Sequence, residues 1–483
     1  MTVVARNDGS DSIQVTSTHI KKDSSMQEAT RLLEQQREFF ASNTTKSIPF
    51  RIEQLKNLKK MLVTHESDIL LALQMDLNKS FSESMMSEVL LILKEIDYAI
   101  KHLKQWSRPK KVKTPLLLFP GKSYIHTEPY GCTLIMSPWN YPIMLSFSPL
   151  IGAISAGNCA ILKPSEVAPY TQHVIVELIS KWFDPRHITA LNLDATQTEQ
   201  LLENQFDYIF FTGSTHIGKK IMSAAAKHLT PVTLELGGKS PCIVDETADL
   251  DFAARRIIWA KMLNAGQTCI APDYLYVQQS CKEELVEKLR SVLQDFYGSD
   301  PERSTSFGRI INQKHLERLS HLLKAGNIIQ GGKVDVETQY IAPTLIDNIS
   351  WQDPIMQEEI FGPILPILTF DKIEILIANL KMQAKPLALY LFSSNQQTQQ
   401  LVTDELSFGG GCINDCIMQV ANHYLPFGGV GMSGMGGYHG EHSFQAFSHG
   451  KSIYRKSWLL DAKLEYPPFS EKKLRWVKWL FSI

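Results

Sequence analysis

The chain has 483 residues, of which 44% are apolar and 20% charged. It is too long for one ordinary core, so two or three domains are expected, and the composition excludes a disordered or fibrous protein in favour of a soluble α/β enzyme. Lys and Arg number 49 against 50 Asp and Glu, a net charge of −1 at pH 7, so no global field recruits nucleic acid and none is expected as a partner.

Residues 1–25 are polar, rich in Ser, Thr and Asp, and read as a disordered extension. They lack the apolar core of a secretory signal, and the chain has no run of ~20 apolar residues that could cross a bilayer as a helix. Seven cysteines stand at 132, 159, 242, 269, 281, 412 and 416, an odd and unpatterned set. That fits reduced thiols and a cytoplasmic setting. Cys412 and Cys416 lie four apart with no second pair at zinc-like spacing, so they read as structural and no metal is expected.

Residues 26–106 carry helical periodicity, with Leu32, Leu33, Phe39 and Phe40, then Leu55, Leu58 and Leu62, then Leu90, Leu93, Ile96 and Ile100. The basic, proline-flanked stretch 108–115 reads as a solvated connector. Residues 116–125 and 125–134 read as two strands turning at Pro120-Gly121. Residues 133–136 form an apolar strand broken by Ser137-Pro138-Trp139-Asn140-Tyr141-Pro142, and a helix follows to about Ala156. A strand at 159–162, a helix at 172–182 and strands at 188–193 and 208–211 continue the alternation. Alternating strands and helices predict a parallel sheet covered on both faces, with ligands at the carboxyl ends of its strands.

Phe211-Thr212-Gly213-Ser214-Thr215-His216-Ile217-Gly218 ends one strand and opens one helix. It reads either as a pyrophosphate cradle or as an ordinary turn capped by Ser214. In Thr233-Leu234-Glu235-Leu236-Gly237-Gly238 a carboxylate stands between two leucines. Apolar surroundings would make it hold its proton tightly and suit it to general-base work; an edge-strand Glu reaching water is the other reading. Strands and helices alternate again from Pro241 to Cys412, with 354–363 read as a loop, and the glycine-rich run 428–437 as irregular backbone packed closely. In Asn264-Ala265-Gly266-Gln267-Thr268-Cys269-Ile270-Ala271-Pro272 a cysteine follows a glycine that lets backbone approach a ligand. Cys269 is a candidate nucleophile, and by itself also a plausible apolar filler.

Taken together, Trp139-Asn140-Tyr141-Pro142, Lys163-Pro164-Ser165-Glu166, 211–218, Glu235-Leu236-Gly237-Gly238, Gly266-Gln267-Thr268-Cys269 and Glu359-Ile360-Phe361-Gly362-Pro363 resemble the aldehyde dehydrogenase superfamily over residues 30–455. The ending Leu425-Pro426-Phe427-Gly428-Gly429-Val430-Gly431 with Tyr438-His439-Gly440 is similar to the class 3 branch, which includes fatty-aldehyde enzymes. The resemblance implies Cys269 as nucleophile, Asn140 as oxyanion donor and Glu235 as the base that hydrolyses a thioester. It implies NAD, or NADP, held by Trp139, Lys163, Glu166, Gly213, Ser214, Gly218, Glu359 and Phe361. Tyr141, Trp259 and Phe427 would line a tunnel for a medium- to long-chain apolar aldehyde, or serve only as core. The alternatives are an acylating relative that hands the acyl group to coenzyme A, against which Glu235 argues, and a non-enzymatic scaffold, against which the intact trio argues.

The implied fold is α/β: a Rossmann-like cofactor domain (26–107 and 132–235), a catalytic α/β domain (236–427) and a strand arm for homodimerisation (108–131 and 428–455). The tail 456–483 would carry an amphipathic helix with Glu471, Arg475 and Lys478 on its polar face. Leu474, Val477, Leu480 and Phe481 face the other way, flanked by Trp476 and Trp479. At about 14 residues it is too short to span a bilayer, and it reads either as a peripheral membrane contact or as a helix docked on protein.

Overall fold

The computed structural model describes residues 22–458 and 466–480. Two open sheets organise the larger of two compact units, residues 1–106 and 129–448. The first sheet runs Gly434–Met435, Val232–Glu235, Tyr208–Thr212, Cys132–Met136, Cys159–Lys163, Ile188–Ala190, and is parallel except at the Gly434–Met435 edge. Its central strands are buried at every position, as unbroken apolar runs covered on both faces must be. The second sheet runs Asn327–Gln330, Thr344–Asp347, Ile364–Phe370, Tyr274–Gln278, Pro241–Val244, Ala388–Phe392, Gly410–Ile413, and only its first strand is antiparallel.

Helix Pro142–Ala156 is buried along nearly its whole length. Proline opens it, where a missing N–H matters least, and Gly157 closes it in the left-handed conformation at φ 96°. Its first turn therefore starts directly after Asn140 and Tyr141, whose positions depend on where this helix is seated.

The smaller unit, residues 107–128 and 449–483, holds a three-stranded sheet in the order Lys110–Val112, Lys122–Pro129, Ser448–Arg455. Here the sequence expectations need correcting. The connector at 108–115 contains a strand, in antiparallel register with Lys110 opposite Ile125. Residues 116–118 form a 3-10 turn and not a strand, and the strand expected over 125–134 is two, Lys122–Pro129 and Cys132–Met136, belonging to different sheets. The turn at Pro120-Gly121 is held by the Gly121 N–H on the Leu118 carbonyl at 2.8 Å, and Tyr454 fills the space where a Gly121 side chain would stand. Strand Ile188–Ala190 is shorter than expected, and the loop at 354–363 begins with helix Pro354–Gln357. Of the expected disordered extension, residues 1–21 lie outside the described residues, while 22–25 open helix Lys22–Ala41. Of the segment expected in the arm, Gly434–Met435 instead edges the first sheet of the larger unit.

Helix Glu471–Leu480 forms where the tail periodicity predicted it; Phe481 lies outside the described residues. Leu474, Trp476 and Trp479 are 53%, 51% and 73% exposed. No described helix is long and apolar enough to cross a membrane.

Candidate active site

The local geometry starts where helix Leu250–Met262 stops. Asn264 and Ala265 both take left-handed backbone at φ 52°, and Gly266 follows at φ 75°. Two successive non-glycine residues in that region cost about 1 kcal/mol or more each, so the turn persists only because its surroundings impose it. The Asn264 N–H donates to Glu83 Oε1 at 2.7 Å, and the Asn264 side-chain amide donates to the Asn140 carbonyl at 2.7 Å. Gln267 donates from Nε2 to the Asn264 and Arg309 carbonyls at 3.0 and 2.9 Å, and its Oε1 accepts the Ile311 N–H at 3.0 Å. A Cβ on Gly266 would stand 2.2 Å from the Gly362 carbonyl oxygen, so only glycine lets these two loops touch.

This turn faces the loop that opens helix Pro142–Ala156. The Asn140 amide donates to the Gln267 carbonyl at 3.0 Å, leaving its second N–H for another acceptor. The Tyr141 hydroxyl bonds Thr268 Oγ1 at 2.6 Å. Lys79 Nζ lies 4.3 Å from the Tyr141 ring centroid and pairs with Glu88 at 2.5 Å, both side chains fully buried. Glu88 Oε2 accepts the Ile143 and Met144 N–H groups at 2.9 and 3.1 Å, capping the helix. Removing one member of such a buried pair costs roughly 3–5 kcal/mol, because the other charge is left unpaired.

Glu235 ends strand Val232–Glu235, 1% exposed, with neither carboxylate oxygen hydrogen-bonded. Burial alone raises its pKa well above the ordinary value, so the apolar alternative foreseen from the flanking leucines is the one the fold adopts. Cys269 is raised as well, first by burial and then by the charges of Glu359 and Glu235, while its own N–H and that of Ile270 act in the opposite sense. Glu359 is pushed up to about 8 by burial and by Asp273. Its carboxylate lies where a Gly237 side chain would be, 2.0 Å from that Cβ position. Phe361 takes a left-handed φ of 51°, its ring 5.4 Å from Trp139 and nearly perpendicular to it, with His315 on the same indole at 5.0 Å. Arg318 holds this loop by donating to the Glu359 and Ile360 carbonyls at 3.2 and 2.6 Å.

Two cavities meet here. One, of about 300 Å³ and overwhelmingly apolar, is lined by Tyr141, Trp259 and Phe427 together with Met86, Met144 and Tyr438. The other, a more polar cleft of about 440 Å³, is lined by Trp139, Asn140, Gly213, Ser214, Glu359 and Phe361. Cys269 and Glu235 line both. Ser214 caps helix Thr215–Ala226 through the Ile217 N–H at 3.4 Å. Gly218 does not reach the cleft; it sits a turn inside that helix, where a Cβ would meet Leu236 at 2.6 Å. Lys163 and Glu166 lie outside the cleft lining and pair with each other. Among the described residues no group of three or more His, Cys, Asp or Glu is placed to hold a metal ion.

Sequence reasoning missed Lys79, Glu83, Glu88, His315 and Arg318. Polar positions in an amphipathic helix read as solvent-facing, and only the packing of a second element over them reverses that.

The unpaired Glu235 carboxyl has a direct consequence. Its folded pKa exceeds the unfolded one, so the native state holds the extra proton and the protein loses stability as pH rises from near 4.5. Glu235→Gln should therefore melt at a higher temperature than wild type at pH 8 and approach it at pH 5; a constant difference across that range would contradict the assignment.

The aldehyde dehydrogenase family model matches residues 13–453. The 4,4'-diaponeurosporen-aldehyde dehydrogenase of Staphylococcus aureus (strain NCTC 8325 / PS 47) is 50% identical over 446 residues, covering 92% of this chain and 97% of its own. The dimeric NADP-preferring aldehyde dehydrogenase of Canis lupus familiaris is 43% identical over 452 residues, covering 93% and 100%. A solved structure described as the substrate-bound state of Staphylococcus aureus AldH is 49% identical with a TM-score of 0.91, covering 94% of this chain and 99% of that one. Matched by the family model over most of its length and by these relatives almost end to end, the chain belongs to the aldehyde dehydrogenase family.

Proposed function

We propose that the protein oxidises medium- to long-chain apolar aldehydes to carboxylic acids with NAD(P)+, using Cys269 as nucleophile, Asn140 as oxyanion donor and Glu235 as general base. The observation that carries this is the shared wall: Cys269 and Glu235 face an apolar cavity on one hand and a polar cleft on the other. An aldehyde whose chain fills the apolar cavity presents its carbonyl carbon to Sγ. Attack gives a thiohemiacetal whose oxygen meets the free N–H of the Asn140 amide and the Cys269 backbone N–H, donors fixed before charge develops. The cleft fits a dinucleotide: Gly237 leaves room for Glu359, and Trp139, Gly213, Ser214 and Phe361 surround the space. Bound there, NAD(P)+ supplies the hydride acceptor. Glu235, in its ionised form, takes a proton from the water that attacks the resulting thioester and so releases the acid. A buried carboxyl without a partner suits hydrolysis, and so favours this reading over acyl transfer to coenzyme A.

Cys269→Ala should abolish oxidation while NAD+ binding persists. Glu235→Gln should instead release about one NADH per site in a burst and then turn over slowly. Substantial dehydrogenase activity in Cys269→Ala would refute the assignment.

Lys163 and Glu166 are proposed to hold the adenosine ribose. A Glu166 carboxylate there repels a 2′-phosphate, and its pairing with Lys163 weakens that repulsion without reversing it. NAD+ should give the higher kcat/KM, and Glu166→Gln should narrow the gap; equal efficiency with NADP+ in wild type would overturn the argument.

The smaller unit is proposed as a dimerisation arm whose tail also touches an anionic membrane surface. Residues 107–128 and 449–483 hold thirteen Lys and Arg against four Asp and Glu, in a chain that is otherwise net acidic. Helix Glu471–Leu480 adds exposed Trp476 and Trp479, ring centroids 5.7 Å apart, side chains that suit the headgroup region. Deleting residues 470–483 should release the protein from anionic vesicles and lower efficiency on long aldehydes more than on short ones. Unchanged binding and an unchanged chain-length profile would leave the helix as a protein-docking element.

A further inference from the structure

A single wide helical turn reaches both loops of the site. Met85–Val89 is a π-helix inserted between Phe81–Ser84 and Leu90–Trp106. Residues five apart in an α-helix point about 140° from each other. An i→i+5 turn brings them toward one side, and such turns recur at functional sites. Glu83 and Glu88 are five apart across this one. Glu83 accepts from the Asn264 N–H, at the start of the left-handed turn that leads to Cys269. Glu88 accepts from Ile143 and Met144, two and three residues after Tyr141. Lys79 pairs with Glu88, lies over the Tyr141 ring, and acts electrostatically on Glu83. The two loops are then stitched to each other by the Asn264 amide on the Asn140 carbonyl and the Asn140 amide on the Gln267 carbonyl.

We propose that Glu83 and Glu88 are positioning residues for the reaction: each carboxylate fixes one of the two loops that carry Cys269 and Asn140, with Lys79 as the counter-charge between them. This rests on Cys269 and Asn140 being nucleophile and oxyanion donor. Neither carboxylate needs to touch substrate. Glu83 sets the register of an otherwise unfavourable turn, so that Sγ faces its own N–H and that of Ile270. Glu88 seats the first turn of helix Pro142–Ala156, so that the Asn140 amide stays beside that sulfur's carbonyl partner. A fixed charge pair does this where water cannot reach, and a neutral acceptor of the same shape should do it nearly as well for Glu83.

The test separates bracing from charge and from simple destabilisation. Glu83→Ala should lower kcat by about tenfold or more, as small displacements of reacting groups do, with the aldehyde KM changed far less. It should also slow alkylation of Cys269 by iodoacetamide at pH 7, read against Cys269→Ala as blank, because the thiolate loses its backbone donors. Glu83→Gln keeps an acceptor oxygen for the Asn264 N–H and should recover most of both rates. Had Glu83 acted only through its charge, Glu83→Gln would change alkylation as much as Glu83→Ala, since each removes the same carboxylate. Glu88→Gln alone leaves the Lys79 ammonium unpaired and is prone to misfold. The informative pair is Lys79→Met with Glu88→Gln, which keeps an acceptor and should retain turnover, against Lys79→Met with Glu88→Leu, which should lose it at equal melting temperature. Wild-type kcat and alkylation in Glu83→Ala, with Cys269→Ala inactive, would overturn the proposal alone. An active Cys269→Ala would instead remove the reading beneath it, and the proposal with it.

Discussion

Backbone comes within touching distance of backbone where Gly266 meets the carbonyl of Gly362, and much of the site follows from that contact. A single added carbon there would stand 2.2 Å from the oxygen. The turn Asn264-Ala265-Gly266 therefore runs left-handed, and the Asn264 N–H and carbonyl, unable to pair as a helix would pair them, are taken up by the side chains of Glu83 and Gln267. The same contact ties the cysteine loop to the segment bearing Glu359 and Phe361, so Cys269 and one wall of the cleft are set by one approach.

Around this contact the protein gathers three acids in a poorly solvated space. Glu235 has no hydrogen-bond partner, Cys269 feels Glu235 and Glu359, and Glu359 feels Asp273. Each shift is upward, and each has burial as its largest cause. Groups so close in low dielectric cannot all ionise together. Proposed roles as nucleophile and base fit that constraint, because the thiolate is consumed in forming the covalent adduct before the carboxylate is needed. The apolar cavity sustains the arrangement by excluding the water that would return these groups to ordinary values.

Charge is distributed as unevenly as polarity. The chain is nearly neutral in total, yet its small sheet-and-tail unit is strongly basic while the remainder is acidic. Net charge conceals this, since composition averages over units that only the fold separates. Local fields act over about a Debye length, ~8–10 Å, so the field near each unit follows that unit's own charge and not the total.

Several features were decided by sequence alone. Runs such as 133–136 and 159–162, set between helical patterns, read as buried parallel strands and are so, whereas the burial of Glu235 stays open between core and edge until the fold places it. The tail periodicity likewise yields its helix. Those are local patterns with period two or 3.6, and local physics suffices for them. Tertiary structure decided the rest. Lys110–Val112 became a strand because Lys122–Pro129 folds back beside it, which no property of a basic, proline-flanked stretch announces. Lys79, Glu83 and Glu88 look like solvent-facing charges in an amphipathic block; they are buried because the loops at 140–144 and 264–269, far along the chain, close over them and supply the N–H groups that make burial tolerable. That Cys269 and Glu235 share a wall between two cavities is likewise a fact about packing, since residues 34 positions apart carry no sequence signal of their distance.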